Sequence, residues 1–250
     1  MAESRVDDFL GGRLRIEQPC SGYRAGADAV MLAAACPARP GESVLELGCG
    51  AGVASLCLAA RVPGAVLTGI ERDHDYAAFA RSNAKRNSMA FHVVVSDLAE
   101  MPRDLRETRF DHVMMNPPFF PDGTRSPDAT RATARHEETP LATWMDVGLR
   151  RLLPGGTMTI IHLAQRLDSI LQALAGRAGA VAILPIAARK GRDAGRVIVQ
   201  ARKGARGPLR LLPPFIMHEG QAHLRDAESL TADAQAVLRH AVALLLNSRV

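Results

Sequence analysis

A short apolar run near the middle of the chain, Val113 to Met115, stops abruptly at Asn116-Pro117-Pro118, and an aromatic ring follows at Phe119. Two prolines in a row cannot donate to a sheet ladder, so a strand ending there must end at Asn116. The stop leaves three groups side by side: the Asn116 amide, the Pro117 carbonyl and the Phe119 ring. The first two accept hydrogen bonds, because proline keeps its C=O, and the third can stack on a flat molecule. Such a set suits a planar group carrying N–H hydrogens. Asn-Pro alone is an ordinary strand end; Asn-Pro-Pro-Phe after an apolar strand is much rarer by chance.

A second constellation precedes it. Glu46 lies two residues before Gly48-Cys49-Gly50-Ala51-Gly52, with an apolar strand (Ser43 to Leu47) on one side and a helix (Val53 to Arg61) on the other. A strand, a glycine-rich turn and a helix N-terminus form a place where backbone can approach a ligand closely. The third glycine of a dinucleotide fingerprint would fall on Val53, so that fingerprint is absent. The spacing is Glu-x-Gly-x-Gly-x-Gly instead. Two more acids follow at strand tips: Glu71 after Val66 to Ile70, and Asp97 after Phe91 to Ser96. An acid at the tip of the second strand of such a unit accepts hydrogen bonds from ribose hydroxyls, and Asp97 would lie near an adenine ring. Upstream, the loop from Gln18 to Asp28 brings Tyr23, Arg24 and Asp28. Asp28 stands where it would either cap the helix Ala29 to Ala35 or meet a ligand, and the residues leave both open.

The elements that must position these groups alternate strand and helix. A hairpin spans residues 9 to 18, turning at Gly11-Gly12. Helices are expected at Asp75 to Asn87, Leu141 to Leu152 and Gln165 to Gly176. Phe110 to Met115 and Thr157 to Leu163 are the fourth and fifth strands. Val181 to Ile186 and Arg196 to Ala201 form an antiparallel pair across Gly191 to Gly195, and Thr231 to Leu246 reads as an apolar-striped tail helix. The order, strand–helix repeated and then strand–turn–strand, predicts an α/β fold. Its sheet would be Rossmann-like and seven-stranded, with helices on both faces and the last strand antiparallel. One domain, 1–250, is expected, with the hairpin and first helix (1–40) covering a sheet core (41–250).

Composition agrees. The chain has 250 residues, 47% of them hydrophobic, enough for one large core. No apolar run approaches the roughly 18 to 20 residues that span a bilayer, and the first residues show no cationic start before an apolar core, so no membrane partner and no leader are expected. Cys20, Cys36, Cys49 and Cys57 lack metal-site spacing. No metal is expected, and reduced thiols suit a cytoplasmic protein. The net charge of +5 permits a polyanionic partner without requiring one.

The Glu46–Gly52 loop resembles the first motif of class I S-adenosylmethionine-dependent methyltransferases, and Asn116-Pro117-Pro118-Phe119 resembles the motif of those that act on planar amino or amide nitrogens. Three further segments are similar to the bacterial tRNA(Val) adenine-N6 methyltransferase family: Gln18-Pro19 with Gly22 to Val30, Ala134 to Glu137, and Thr231 to Arg239. The resemblance covers about residues 40 to 203. It implies an S-adenosylmethionine donor held by Glu46, Gly48, Gly50, Glu71 and Asp97, with Tyr23, Arg24 and Asp28 closing over it. It implies a tRNA substrate whose adenine N6 meets Asn116, Pro117 and Phe119. Ala27 departs from the family, where threonine would be expected.

Substrate contacts are expected from two stretches. Phe120 to Glu138 is a 19-residue polar loop carrying Phe120, Arg135 and His136, and a loop that long is usually functional or disordered. Arg189 to Arg210 holds eight Lys or Arg residues and one acid, with Arg189, Lys190, Arg192, Arg202 and Lys203 as candidate RNA contacts. That stretch reads equally as a charged sheet edge or as a footprint for phosphates. Competing functions are a release-factor glutamine methyltransferase, an rRNA-base methyltransferase, and a non-catalytic RNA-binding scaffold. The first usually has tyrosine at the aromatic position and a helical domain before the sheet, whereas about 40 residues precede Val44 here. The second usually has a duplicated sheet domain. The third would have no reason to keep both the glycine loop and the Asn-Pro-Pro-Phe tetrad.

Overall fold

The computed structural model describes residues 3–118, 139–220 and 229–246. The strands are β1 (Ser4–Phe9), β2 (Leu14–Pro19), β3 (Ser43–Leu47), β4 (Val66–Glu71), β5 (His92–Val95), β6 (Phe110–Met115), β7 (Leu152–Leu163), β8 (Ala178–Ala187), β9 (Ala194–Lys203), β10 (Arg210–Leu211) and β11 (Phe215–Ile216). The helices are α1 (Ala27–Ala35), α2 (Val53–Arg61), α3 (His74–Arg86), α4 (Arg103–Glu107), α5 (Leu141–Arg151), α6 (Leu167–Leu174) and α7 (Ala232–His240).

The central sheet runs β10-β8-β9-β7-β6-β3-β4-β5, with β11 also paired to β8. β9 is antiparallel to both neighbours and every other pairing is parallel. Parallel strands covered on both faces lose the polar alternation of a half-exposed sheet. In β6, Met114 packs with α1, α2 and α7, while Val113 and Met115 pack with α4, α5 and α6. The carboxyl ends of β3, β4 and β6 therefore share one edge, where ligands bind in open α/β sheets.

The hairpin is a separate two-stranded sheet, tied down by asparagines of α3. Buried Asn83 accepts from the Glu17 amide at 2.8 Å and donates to the Glu17 carbonyl at 2.9 Å and the Ala51 carbonyl at 3.0 Å. Asn87 brackets Arg15 in the same way, at 3.0 Å each. Two side chains thus stand in for a strand beside β2, and one of them also holds the glycine loop.

The sheet has nine strands rather than the seven expected, because two-residue β10 and β11 add parallel to the outer side of β8. The hairpin is longer than expected and turns at Leu10 to Arg13. The crossover between β5 and β6 contains α4, too short to show a periodicity. Strand β7 begins at Leu152 rather than at the expected Thr157, and Pro154-Gly155-Gly156 bulges from it: Phe110 pairs with Leu152 and His112 with Thr157, so Leu153 to Gly156 are looped out. The tail helix ends at His240, since Ala241 takes a left-handed φ of 57°. The chain then runs alongside α1, where the Leu244 amide donates to the Ala34 carbonyl at 2.8 Å. No described helix is long and apolar enough to cross a membrane.

Candidate active site

The loop after β3 is three left-handed glycines in alternation: Gly48 at φ 66°, Gly50 at 53° and Gly52 at 84°. Their reasons differ. A Cβ on Gly48 would sit 2.5 Å from the Trp144 ring, and one on Gly52 would sit 3.2 Å from Phe91 and 3.3 Å from Ala80. A Cβ on Gly50 would meet nothing nearer than Tyr23 Cε1 at 3.9 Å. Gly48 and Gly52 are therefore glycines for packing, while Gly50 leaves its space open beneath Tyr23. The loop is anchored to the tip of β4: the Cys49 amide donates to the Ile70 carbonyl at 3.0 Å and the Gly50 amide to Glu71 Oε2 at 2.9 Å.

The three expected acids are all engaged. Glu46 is 4% exposed and accepts from the Ser55 amide at 3.0 Å and from its hydroxyl. Ser55 is the third residue of α2, so Glu46 satisfies one of the helix's free N–H groups from a neighbouring strand. Burial pushes its carboxyl up to about 8; the Ser55 hydrogen bonds oppose the rise and Glu71 adds to it. Glu71 is raised by burial as well, against hydrogen bonds from the Asp73 and Gly50 amides. Asp97 lies two residues beyond β5 and accepts from the Ala99 amide at 2.8 Å, closing a local turn.

Across this loop stands Asn116, immediately after β6. Its Nδ2 donates to the Tyr23 hydroxyl at 3.2 Å. Its Oδ1 is buried and has no hydrogen-bond partner among the described residues. A buried acceptor left in that state costs about 1–3 kcal/mol, and such strain gathers where a ligand is meant to relieve it. Tyr23 is itself fixed from behind, its carbonyl accepting from the Tyr76 hydroxyl at 2.7 Å. Burial pushes the Tyr23 phenol up to about 12, with Asp28 and Glu46 adding to the rise, although the residue is 54% exposed. Its hydroxyl thus stays protonated at every working pH.

Arg24 and Asp28 take other partners. Arg24 donates to Asp7, and to the Pro19 carbonyl at 2.6 Å, which ties the Tyr23 loop to the hairpin. Asp28 does not cap α1: the helix begins at Ala27, its N-cap is Gly26, and no side chain caps it. Asp28 instead pairs with Arg196 of β9 at 3.0 Å. Arg24 thus fastens the Tyr23 loop to the hairpin, and Asp28 fastens the first turn of α1 to β9.

The substrate side divides. Phe119, Phe120, Arg135 and His136, with the Phe120 to Glu138 loop, lie outside the described residues. Arg189 is 8% exposed and donates to the Glu219 and Gly220 carbonyls, so it braces a loop and is not a free phosphate contact. Lys190 and Arg192 are exposed on the turn after β8, at the same edge as Asn116. Arg202 and Lys203 close β9, which runs the other way. They stand at the opposite edge, roughly 30 Å from its start, bonded to the Gly155 and Leu152 carbonyls at 3.3 and 2.7 Å. The five residues thus fall at two edges of the sheet.

The residues present fit a nucleoside-bearing sulfonium ligand: open space over Gly50, carboxylates at two strand tips, and an unsatisfied acceptor on Asn116. Sequence reasoning missed Ser55, Tyr76, Trp144 and Arg196, which hold Glu46, Tyr23, Gly48 and Asp28. Only Ser55, nine residues from Glu46, carried a local signal as a capping residue type. Among the described residues no group of three His, Cys, Asp or Glu could hold a metal ion.

A family model described as the methyltransferase small domain matches residues 25–165. A protein of Porphyromonas gingivalis (strain ATCC 33277) named tRNA1(Val) (adenine(37)-N6)-methyltransferase is 34% identical over 174 residues, 66% of this chain and 68% of that one. One of the same name from Shewanella frigidimarina is 32% identical, over 66% and 69% of the two chains. A crystal structure titled a predicted O-methyltransferase, from Agrobacterium tumefaciens, superposes with a TM-score of 0.73 at 27% identity, covering 89% of this chain and all of that one.

Proposed function

The chain belongs to the methyltransferase small domain family, and from that premise we propose that it methylates the exocyclic N6 of an adenine in the anticodon loop of a valine tRNA. The observation that carries the choice of a nitrogen target is the Asn116 amide, its Nδ2 held by Tyr23 and its buried Oδ1 unmatched. An oxygen nucleophile presents at most one hydrogen and has no use for a paired-acceptor corner. The relatives named as adenine-N6 methyltransferases support the base and the RNA. A tRNA substrate also suits the cytoplasmic location expected from the thiols.

The methyl donor is S-adenosylmethionine, which supplies an electrophilic methyl group on sulfur. Gly50 leaves room for it, Glu71 and Asp97 would accept from ribose hydroxyls and an adenine amine, and Glu46 would offer an acceptor oxygen to an ammonium. On the target side, Asn116 Oδ1 and the Pro117 carbonyl accept the two amine hydrogens. That draws the nitrogen lone pair out of the ring and toward tetrahedral geometry, where charge develops in the transition state. Phe119 stacks on the base. Because the proton can leave after transfer, alignment and exclusion of water matter more than a general base. A loop adenine is already accessible, with little unstacking to overcome.

The test is transfer of labelled methyl from S-adenosylmethionine into unmodified valine tRNA, followed by nucleoside analysis. N6-methyladenosine is the expected product. Label on a release factor, an rRNA or an oxygen atom, with none on tRNA, would overturn the reading.

A further inference from the structure

At the edge of the sheet opposite Asn116 lies a cavity of about 700 Å³, within the range of small-molecule sites. It opens between the C-terminal ends of α1 and α2, the bulge Leu153 to Gly156 and the extended tail Ala243 to Leu246. Nothing in the methyl-transfer reading uses it. Two of its lining residues hold buried polar atoms without a partner among the described residues: His112 Nδ1 and Arg61 Nε.

We propose that this cavity binds a small phosphomonoester carrying a planar ring, of the size of a nucleoside monophosphate. The charge is set by three arginines. Arg61 spends one end of its guanidinium on the Ala33 carbonyl at 3.0 Å and on the Cys36 carbonyl, leaving Nε idle. Arg39 is exposed at the mouth, and exposed Arg202 donates to the Gly155 carbonyl through Nε. The two carboxylates that also line the cavity are each engaged through one oxygen. Asp111 accepts from the Ser43 amide at 2.9 Å and hydroxyl at 2.7 Å, and Glu42 accepts from the Arg39 amide and meets His112 Nε2, each at 2.8 Å. Three guanidinium groups against two carboxylates leave the cavity an excess of positive charge, and the planar guanidinium fork suits phosphate.

His112 gives the ring end. Its Nε2 meets Glu42 at 2.8 Å, and its buried Nδ1 has no partner among the described residues, which asks for a hydrogen-bonding group on the ligand. The remaining lining, Ala34, Pro37, Leu153, Pro154 and Leu244, is apolar and suits a flat ring. The volume between the two helix ends and the tail suits a small molecule.

Titration calorimetry of the full chain with AMP, GMP, CMP and UMP tests this, with the donor site saturated by S-adenosylhomocysteine. At least one nucleotide should bind with one equivalent. Arg39→Ala and Arg202→Ala should each weaken it about tenfold, the loss of one charge-assisted contact, and Leu153→Trp should fill the cavity and abolish binding. All three variants should keep the wild-type melting temperature without nucleotide and the wild-type rate on tRNA. No binding by any of the four, or binding that the three variants leave unchanged, overturns the proposal. So does weaker tRNA affinity in Arg39→Ala and Arg202→Ala, which would give the cavity to RNA. Methyl transfer is a separate readout, so its failure and the failure of this site are told apart.

Discussion

The Asn116 amide nitrogen donates to the Tyr23 hydroxyl at 3.2 Å, and this contact joins the two halves of the site. Tyr23 comes from the loop after the hairpin and sits over Gly50; Asn116 comes from the end of β6. The bond turns the amide so that Oδ1 is left without a partner, in the corner where an amine would bring hydrogens. In the proposed reaction Tyr23 would act through Asn116, as a positioning residue.

Tyr23→Phe tests that relationship. It keeps the ring over Gly50 and removes the acceptor for Nδ2, so the amide loses its fixed orientation. A hydrogen bond of about 0.5–1.5 kcal/mol corresponds to a fall in kcat of roughly three- to tenfold, with the KM for S-adenosylmethionine nearly unchanged. An unchanged kcat would remove the positioning role.

Asn116→Ala should lower kcat by about a hundredfold or more, the scale of losing one donor or acceptor aimed at transition-state charge. Stability should hold or rise, because the substitution deletes a buried acceptor that has no partner. A melting temperature several degrees lower would mean that Asn116 is structural, and would leave the loss of activity uninformative.

The glycines of the loop should respond unequally. Gly48→Ala meets both a left-handed φ and the Trp144 ring at 2.5 Å. A destabilisation of about 2–4 kcal/mol is expected from strain and overpacking together. Gly50→Ala has room for its Cβ and should cost about 1–2 kcal/mol from φ alone, yet lose donor affinity because that room is taken. Denaturant melts and donor titration of the two variants separate packing from binding; equal stability losses would sink the distinction.

What was legible in the sequence was the part written in local pattern. The apolar runs of β3, β4 and β6, the glycine spacing and the two prolines fixed the carboxyl edge, and with it the positions of Gly48, Glu71 and Asn116. Partners distant along the chain were not legible. Nothing near Gly48 points to Trp144, nothing near Asp28 to Arg196, and nothing near Glu17 to Asn83. The layout of the basic stretch was not legible for a topological reason. Its residues are close in sequence, but β9 reverses direction and carries Arg202 and Lys203 to the far edge from Lys190 and Arg192. Helix α4, five residues long, and the strands β10 and β11, two each, are too short for a periodicity to mark.

Glu46→Gln should change the pH dependence of stability with a definite sign. Burial holds the folded-state value at about 8, above the ordinary 4.5, so the folded protein keeps this proton longer than the unfolded chain does. The group's contribution is fully present below about pH 4.5 and is lost as pH rises through 8. Gln cannot ionise and still accepts from Ser55. The variant should therefore match the wild type near pH 4.5 and gain on it progressively up to pH 8 and just beyond. Melting temperatures across that range check it, and a constant offset would mean that Glu46 does not titrate there.

The separation of the basic residues makes the last prediction. RNA affinity falls with salt in proportion to the number of phosphates neutralised, so each lost contact flattens the slope of log K against log salt by about 1. Lys190 and Arg192 share the edge that holds Asn116 and are exposed on the turn after β8, so under the proposed function a tRNA delivering an adenine to Asn116 would pass within their reach. The double variant Lys190→Ala with Arg192→Ala should bind tRNA more weakly at low salt and with a shallower slope, while kcat at saturating tRNA stays near wild type. Arg202 and Lys203 stand behind the sheet, and their alanine variants should leave the slope unchanged. Lys203→Ala should instead cost some stability, since its ammonium is the donor for the Leu152 carbonyl at the head of β7. A flattened slope in the second pair, or none in the first, would place the RNA across the opposite edge and reverse the orientation argued here.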